Sequence, residues 1–306
     1  MDSCRVNRHL LLLAISLLML ASSGCAGFGV RSKAAEALAE CRDYACRGAT
    51  ALEVGQWQQA EELLRKAVDG EPSDGKSRRH LAETLWQQDQ HSEAIAHMRL
   101  AVKNEPEDAT LVVRLGEMLL DQRKLQEAKA LGERAVALDD RNPRTWALRG
   151  LAYHELGESQ RGLADLQQAL RLAPEDRETL ASVARIYAQR GMPQRQLTTL
   201  HRLADTYPPG ELPPSLLSDE GAAYMALARP AMAVERLRLA AASGGGSAGL
   251  LYRLAEAEEA TGHRTAAVAA ARQALTVDAT HSKSQQFLAK LSETEIATAP
   301  TAPARR

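Results

Sequence analysis

A period of 34 residues runs through the chain. Laid out in that frame, residues 41–210 superpose on themselves five times without a gap, and two further units follow after three inserted residues. The eighth residue of each unit is small: Gly48, Ala82, Gly116, Gly150, Ala184, Gly221 and Ala255. The twentieth reads Ala60, Ala94, Ala128, Gly162, Gln196, Ala233 and Ala267. The twenty-seventh reads Ala67, Ala101, Ala135, Ala169, Leu203, Ala240 and Ala274, so only Gln196 and Leu203 depart from the rule. Small side chains at these intervals let two antiparallel helices approach, and larger apolar residues at helical spacing, such as Leu81, Leu85 and Met98, fill the space around them. Gly55, Gly157, Gly191 and Gly262 in mid-unit, with Pro72, Pro106, Pro174 and Pro208 near the unit ends, punctuate two helices per unit. Each helical pair leaves an apolar face that only its neighbour covers, which predicts stacked units.

In this register the sequence resembles the tetratricopeptide repeat family, whose unit has the same length and small residues at the same three positions. The unit from Pro143 to Asp176 carries Trp146, Gly150, Tyr153, Gly157, Leu166, Ala169 and Pro174 where the family has aromatic, small, aromatic, turn, large, small and proline residues. The resemblance covers about four fifths of the chain. It implies an all-α fold, a right-handed α-solenoid of about seven helix-turn-helix repeats closed by a C-terminal capping helix. An apolar content of 45% with only 4% aromatic residues, rich in Ala and Leu, suits helices over sheets. The net charge is −1, and removal of residues 1–24, with one acidic and two basic side chains, leaves −2, so no basic field argues for a nucleic acid partner.

Arg5 and Arg8 precede an apolar run from Leu10 to Ala21 and then Ser22, Ser23 and Gly24, which reads as an export signal over residues 1–24. Twelve residues of helix reach about 18 Å, short of the ~30 Å hydrocarbon core, although the stretch to Val30 extends it, so an uncleaved N-terminal anchor is the alternative. Leu20 to Cys25 resembles the lipobox of bacterial lipoproteins, with Ser22 where that family most often has leucine. The resemblance implies a lipid on Cys25, a short tether over residues 25–31, and, because Ala26 rather than aspartate follows, the periplasmic side of the outer membrane. Cys41 and Cys46, five residues apart, point about 140° from each other if one helix carries both and then do not bridge, whereas a break between them permits a disulfide.

The motifs of catalysis are missing from the sequence: no His-Glu-x-x-His, no glycine-rich phosphate loop, no Gly-x-Ser-x-Gly elbow. No cofactor, metal site or catalytic residue is therefore expected, and the expected activity is recognition. By resemblance the binding groove is lined by the first helix of each unit. Lys76, Arg79, Glu83 and Trp86, then Val113, Glu117 and Asp121, then His154, then Arg185 fall on that face. Such a mixed lining suits a helix or extended peptide. Glu83 stands where family members that grip an acidic C-terminus have asparagine, which disfavours that ligand. Trp86 either faces the groove or packs on the neighbouring unit.

Repeats 1–5 are expected over residues 32–207, a proline-rich insertion over 208–214, repeats 6–7 over 215–281, a cap over 282–296 and a disordered tail over 297–306. Gln196, Leu203 and the insertion together predict an altered joint, and a bend or limited hinge near Pro209. The expected function is a membrane-anchored lipoprotein scaffold of the bacterial envelope, binding a peptide or helix of a protein partner in pilus, secretion or envelope assembly. The alternative is a noncatalytic targeting subunit of an envelope enzyme such as a murein hydrolase.

Overall fold

A computed structural model describes residues 35–244 and 246–298. The expected export signal, Cys25 with its tether, and the tail beyond Thr298 lie outside the described residues. Within them the chain is helical, with fifteen helices and no strand.

Two compact units divide at Asp140 and Arg141. The first holds α1 (35–53), α2 (Trp57–Gly70), α3 (Gly75–Gln87), α4 (His91–Asn104), α5 (Ala109–Asp121) and α6 (Leu125–Leu138). The second holds α7 (Pro143–Glu155), α8 (Ser159–Leu172), α9 (Arg177–Gln189), α10 (Pro193–Ala204), α11 (Pro214–Ala226), α12 (Pro230–Ala242), α13 (Ala248–Ala260), α14 (Arg264–Val277) and α15 (Ser282–Thr298). Odd-numbered helices through α13 are the first helices of the repeats, and each packs on the even-numbered helix that follows it in the same repeat.

Helix starts are set by a residue the repeat pattern had not singled out. Asp74, Asp108, Asn142, Asp176 and Ser247, each the last of a repeat, accept hydrogen bonds from backbone N–H groups of the next first helix. An uncapped first turn leaves donors unsatisfied, so polar residues here end one repeat and start the next. At α11 the place is taken by Pro213, with Pro214 in the first turn and no side-chain cap.

The turn inside each hairpin needs one residue with positive φ. Gly55, Gly157, Gly191 and Gly262 supply it at 62–86°, while Asp89, Arg123 and Ala228 adopt it at 54–59°. The small residues then bring the two helices into contact. A Cβ on Gly162 would stand 2.6 Å from the Gly150 carbonyl oxygen, so α7 and α8 meet backbone to backbone.

The two departures from the small-residue rule, Gln196 and Leu203, are both buried. Leu203 shares an apolar cluster with Leu216 of α11, while Leu197 and Leu200 share another with Leu217, Tyr224 and Leu237. Half-buried Leu212 of the insertion packs against the second cluster. The division between compact units accordingly falls at 140/141 and not at the proline-rich insertion, where apolar side chains pack across the joint. At the C-terminal end α15 lies on α14, with Leu291 buried and Phe287 and Leu288 packed against Ala255, Ala270 and Ala271.

Helix α1 is unbroken from 35 to 53 and carries both described cysteines. Cys41 is half-buried beside Gly70, Cys46 is exposed, and both are free thiols.

Candidate functional site

In the first unit the expected binding face lies on α3 and α5, and an ion pair links the two helices. Arg114 of α5 donates from Nε to Glu83 Oε1 and from Nη2 to Glu83 Oε2, both at 2.6 Å, and its Nη1 lies 3.5 Å from Glu117 Oε2. The guanidinium sits 5.8 Å from the centre of the Trp86 ring. Burial works against the Arg114 charge, but the Glu83 hydrogen bonds overcome it and hold its pKa above the ordinary value. Glu83 is therefore a neutralised member of a fork pair, and its expected repulsion of an incoming carboxylate is offset by Arg114.

Trp86 packs on the neighbouring repeat, one of the two readings the sequence left open. It is half-buried, packs against a core cluster that includes Ala51, Leu64 and Leu81, and stacks tilted on His91 with ring centres 4.3 Å apart. Its remaining surface lies beside Arg114. Lys76 and Asp121 are exposed near opposite ends of α3 and α5, while Arg79 is half-buried with Nη2 3.1 Å from His80 Nε2. Val113 is a correction: it is 1% exposed, because its turn of α5 faces the core.

In the second unit His154 of α7 donates from Nε2 to Gln189 Oε1 at 2.9 Å, and its Nδ1 lies 3.0 Å from Ser159 Oγ. Like the Glu83–Arg114 pair, this contact ties the first helices of adjacent repeats. Arg185 is exposed on α9, on a face with exposed Glu178, Ala181 and Gln189. A third tie joins α11 and α13, where Arg253 donates to Ser218 Oγ at 2.9 Å and lies 3.8 Å from Asp219 Oδ1. A cavity of about 610 Å³ opens beside it, lined by Pro214, Ser215, Ser218, Ser247, Leu250 and Arg253. Sequence reading had assigned no binding residues to repeats 6 and 7. The signal was available, since Ser218 holds the same place in its repeat as Arg79 does in its own.

These faces offer hydrogen bonds, forked charges and one half-buried indole, the means of gripping a polypeptide. Among the described residues no cluster of His, Cys, Asp or Glu is arranged to hold a metal, and no helix is long and apolar enough to cross a membrane.

Comparison with known proteins agrees with the repeat pattern. Residues 51–115 match one tetratricopeptide repeat family model, and residues 143–176 and 248–281 match another. No curated protein sequence matches the chain. Among solved structures, a chain of the APC/C hetero-tetramer Cut9-Hcn1 is similar at a TM-score of 0.65 and 14% identity, over 81% of this chain and 48% of that one. The chain thus spans about half the length of that structure. PilW, a widely conserved type IV pilus biogenesis factor, is similar at 0.61 and 16% identity, over 66% of this chain and 92% of its own. YrrB, a tetratricopeptide repeat protein with an unusual peptide-binding site, is similar at 0.54 and 16% identity, over 62% and 96%. At these identities the likeness shows the fold. The chain is a helical solenoid of tetratricopeptide repeats, the architecture of a protein-interaction scaffold.

Proposed function

From this tetratricopeptide architecture we propose that the chain is a noncatalytic, membrane-anchored scaffold of the bacterial envelope, which holds a peptide or helix of a protein partner against its first helices. The observation that carries the reading is the linkage of first helices in adjacent repeats by Glu83–Arg114, His154–Gln189 and Ser218–Arg253. Each link leaves polar groups and, at Trp86, an aromatic surface on the same helices, as recognition of a polypeptide requires. Lys76, Arg79, Glu83, Trp86, Glu117 and Asp121 in the first unit, with His154 and Arg185 in the second, are the proposed contacts. Anchoring rests on the resemblance of residues 20–25 to a lipobox, with Cys25 as the lipidated residue. Two or more acyl chains hold a protein durably, since each buried methylene contributes about 0.8 kcal/mol.

Among the settings expected from the sequence, the PilW likeness favours pilus assembly. Photocrosslinking from Trp86 and Arg185 in native membranes tests the reading. Capture of a protein partner from each position is the expected outcome, and a murein hydrolase as partner would favour the targeting-subunit alternative. A Trp86→Ala protein that keeps its fold and full partner binding would remove Trp86 from the site. Metabolic labelling with an alkynyl fatty acid should mark the wild type and not Cys25→Ser, which should leave the membrane fraction.

A further inference from the structure

The second helices of the first repeats are joined by arginine–glutamate contacts, and at a joint further along arginines stand without such acids. Where repeat 2 packs on repeat 1, Arg65 of α2 donates to Glu93 of α4 at 2.8 Å and to Glu61, while Gln88 after α3 donates to Glu61 at 2.9 Å. The next joint repeats the first of these contacts with Arg99 and Glu127. Two carboxylates thus satisfy the donors of the first joint.

Between repeats 4 and 5 the same four places are held by different residues. Leu163 stands in the place of Glu61, Gln167 in that of Arg65, Arg190 in that of Gln88 and Arg195 in that of Glu93. Both acids are gone, and two guanidiniums have replaced one. A cavity of about 400 Å³ opens there, lined by these four residues with Gln160, Ala164 and Tyr187, and no carboxylate lines it. Arg190 and Arg195 are exposed and form no salt bridge among the described residues; Arg195 lies 5.9 Å from the centre of the Tyr187 ring. Tyr187 is 7% exposed, and its hydroxyl accepts from Gln167 Nε2 at 3.3 Å, which leaves its own proton to donate.

We propose that this cavity, on the second-helix side of the joint and apart from the face of the first helices, binds a carboxylate of an acidic segment of a protein partner. The first two joints say what it lacks, since there Glu93 and Glu127 stand at the place of Arg195. Two guanidiniums that line one cavity with the Tyr187 hydroxyl and two amides form a donor-rich pocket that a side-chain carboxylate matches. The proposal does not rest on the groove reading, because none of its residues is a proposed groove contact.

The test is fluorescence polarisation with full-length protein and a labelled hexaglutamate peptide carrying an amidated C-terminus, at low ionic strength. Saturable binding is expected, weakened about tenfold by Arg195→Ala and by Arg190→Ala, with no binding of the matching hexaglutamine peptide. Gln167→Glu supplies the missing acid within the chain and should block the site as strongly as Arg195→Ala does. These positions are exposed, and circular dichroism checks that each variant stays folded. Wild-type binding by Arg195→Ala and Gln167→Glu would overturn the proposal. So would displacement of the peptide by hexaglutamine, or binding of inorganic phosphate without binding of hexaglutamate.

Discussion

Two ion pairs inside single repeats show how one pair of positions is used twice with opposite sign. In repeat 4 Arg149 of α7 donates to Asp165 of α8 at 2.7 and 3.0 Å, and in repeat 6 the same places carry Glu220 and Arg236, 3.4 Å apart. The first pair is forked and lies 4.8 Å from the Trp146 ring, whereas Glu220 Oε2 and Arg236 Nε are buried without a hydrogen bond. Removing one partner of a buried pair strands the other, so Arg149→Ala should cost about 2 kcal/mol by urea denaturation, less than a fully buried pair because both side chains keep some solvent contact. The reversed double variant, Arg149→Glu with Asp165→Arg, should recover most of it. Burial raises the Glu220 pKa, and Arg236 and His201 offset this only in part. The folded protein then binds that proton more tightly than the unfolded chain does, so this contribution is present below the ordinary carboxylate range and is lost as pH rises through Glu220's elevated value. Glu220→Gln removes the slope: its Tm relative to wild type should increase from acidic to neutral pH, and a constant difference would count against the burial argument.

At the scale of the helix and its turn, the repeat depends on close approach and on one left-handed residue. Gly162→Ala should cost about 1–3 kcal/mol, because the added methyl meets the Gly150 backbone, which cannot rotate away. The hairpin turns give the opposite case. Ala228 has φ of 54°, where a side chain is strained, and Ala228→Gly should raise stability by about 0.5–1 kcal/mol after the entropy of glycine is subtracted. Gly157, at φ of 86°, is the mirror test: Gly157→Ala should destabilise by about 1 kcal/mol in the same thermal melt. The glycine turns and the small packing positions were legible in the sequence because each requires a particular residue size. The turns at Asp89 and Arg123 were not, since tertiary packing imposes on them a conformation that their side chains do not favour.

At the scale of the molecule, the joint at the proline-rich insertion behaves as packed core. Leu217 of α11 shares its cluster with Leu197 and Leu200 of α10, and Leu217→Ala should cost about 2–5 kcal/mol. The same variant should speed amide hydrogen exchange on both sides of the insertion, because neighbouring repeats share interface energy. Exchange that changed in α11 alone would show that the insertion uncouples the repeats on its two sides.

By itself the sequence determined the period, the two helices per repeat, the small residues at their crossings and the capping helix at the C-terminal end. These follow from side-chain size and spacing, which act locally and recur every 34 residues. Tertiary structure alone decided that the insertion is bridged by Leu197, Leu203, Leu216 and Leu217, that Val113 is core, and that Glu83 is neutralised by Arg114. It also decided that Arg195 shares a cavity with Gln167, where the first two joints have an arginine opposite a glutamate. Charge pairing depends on which side chains two stacked repeats bring within a few ångströms, and that register exists only once the repeats have packed.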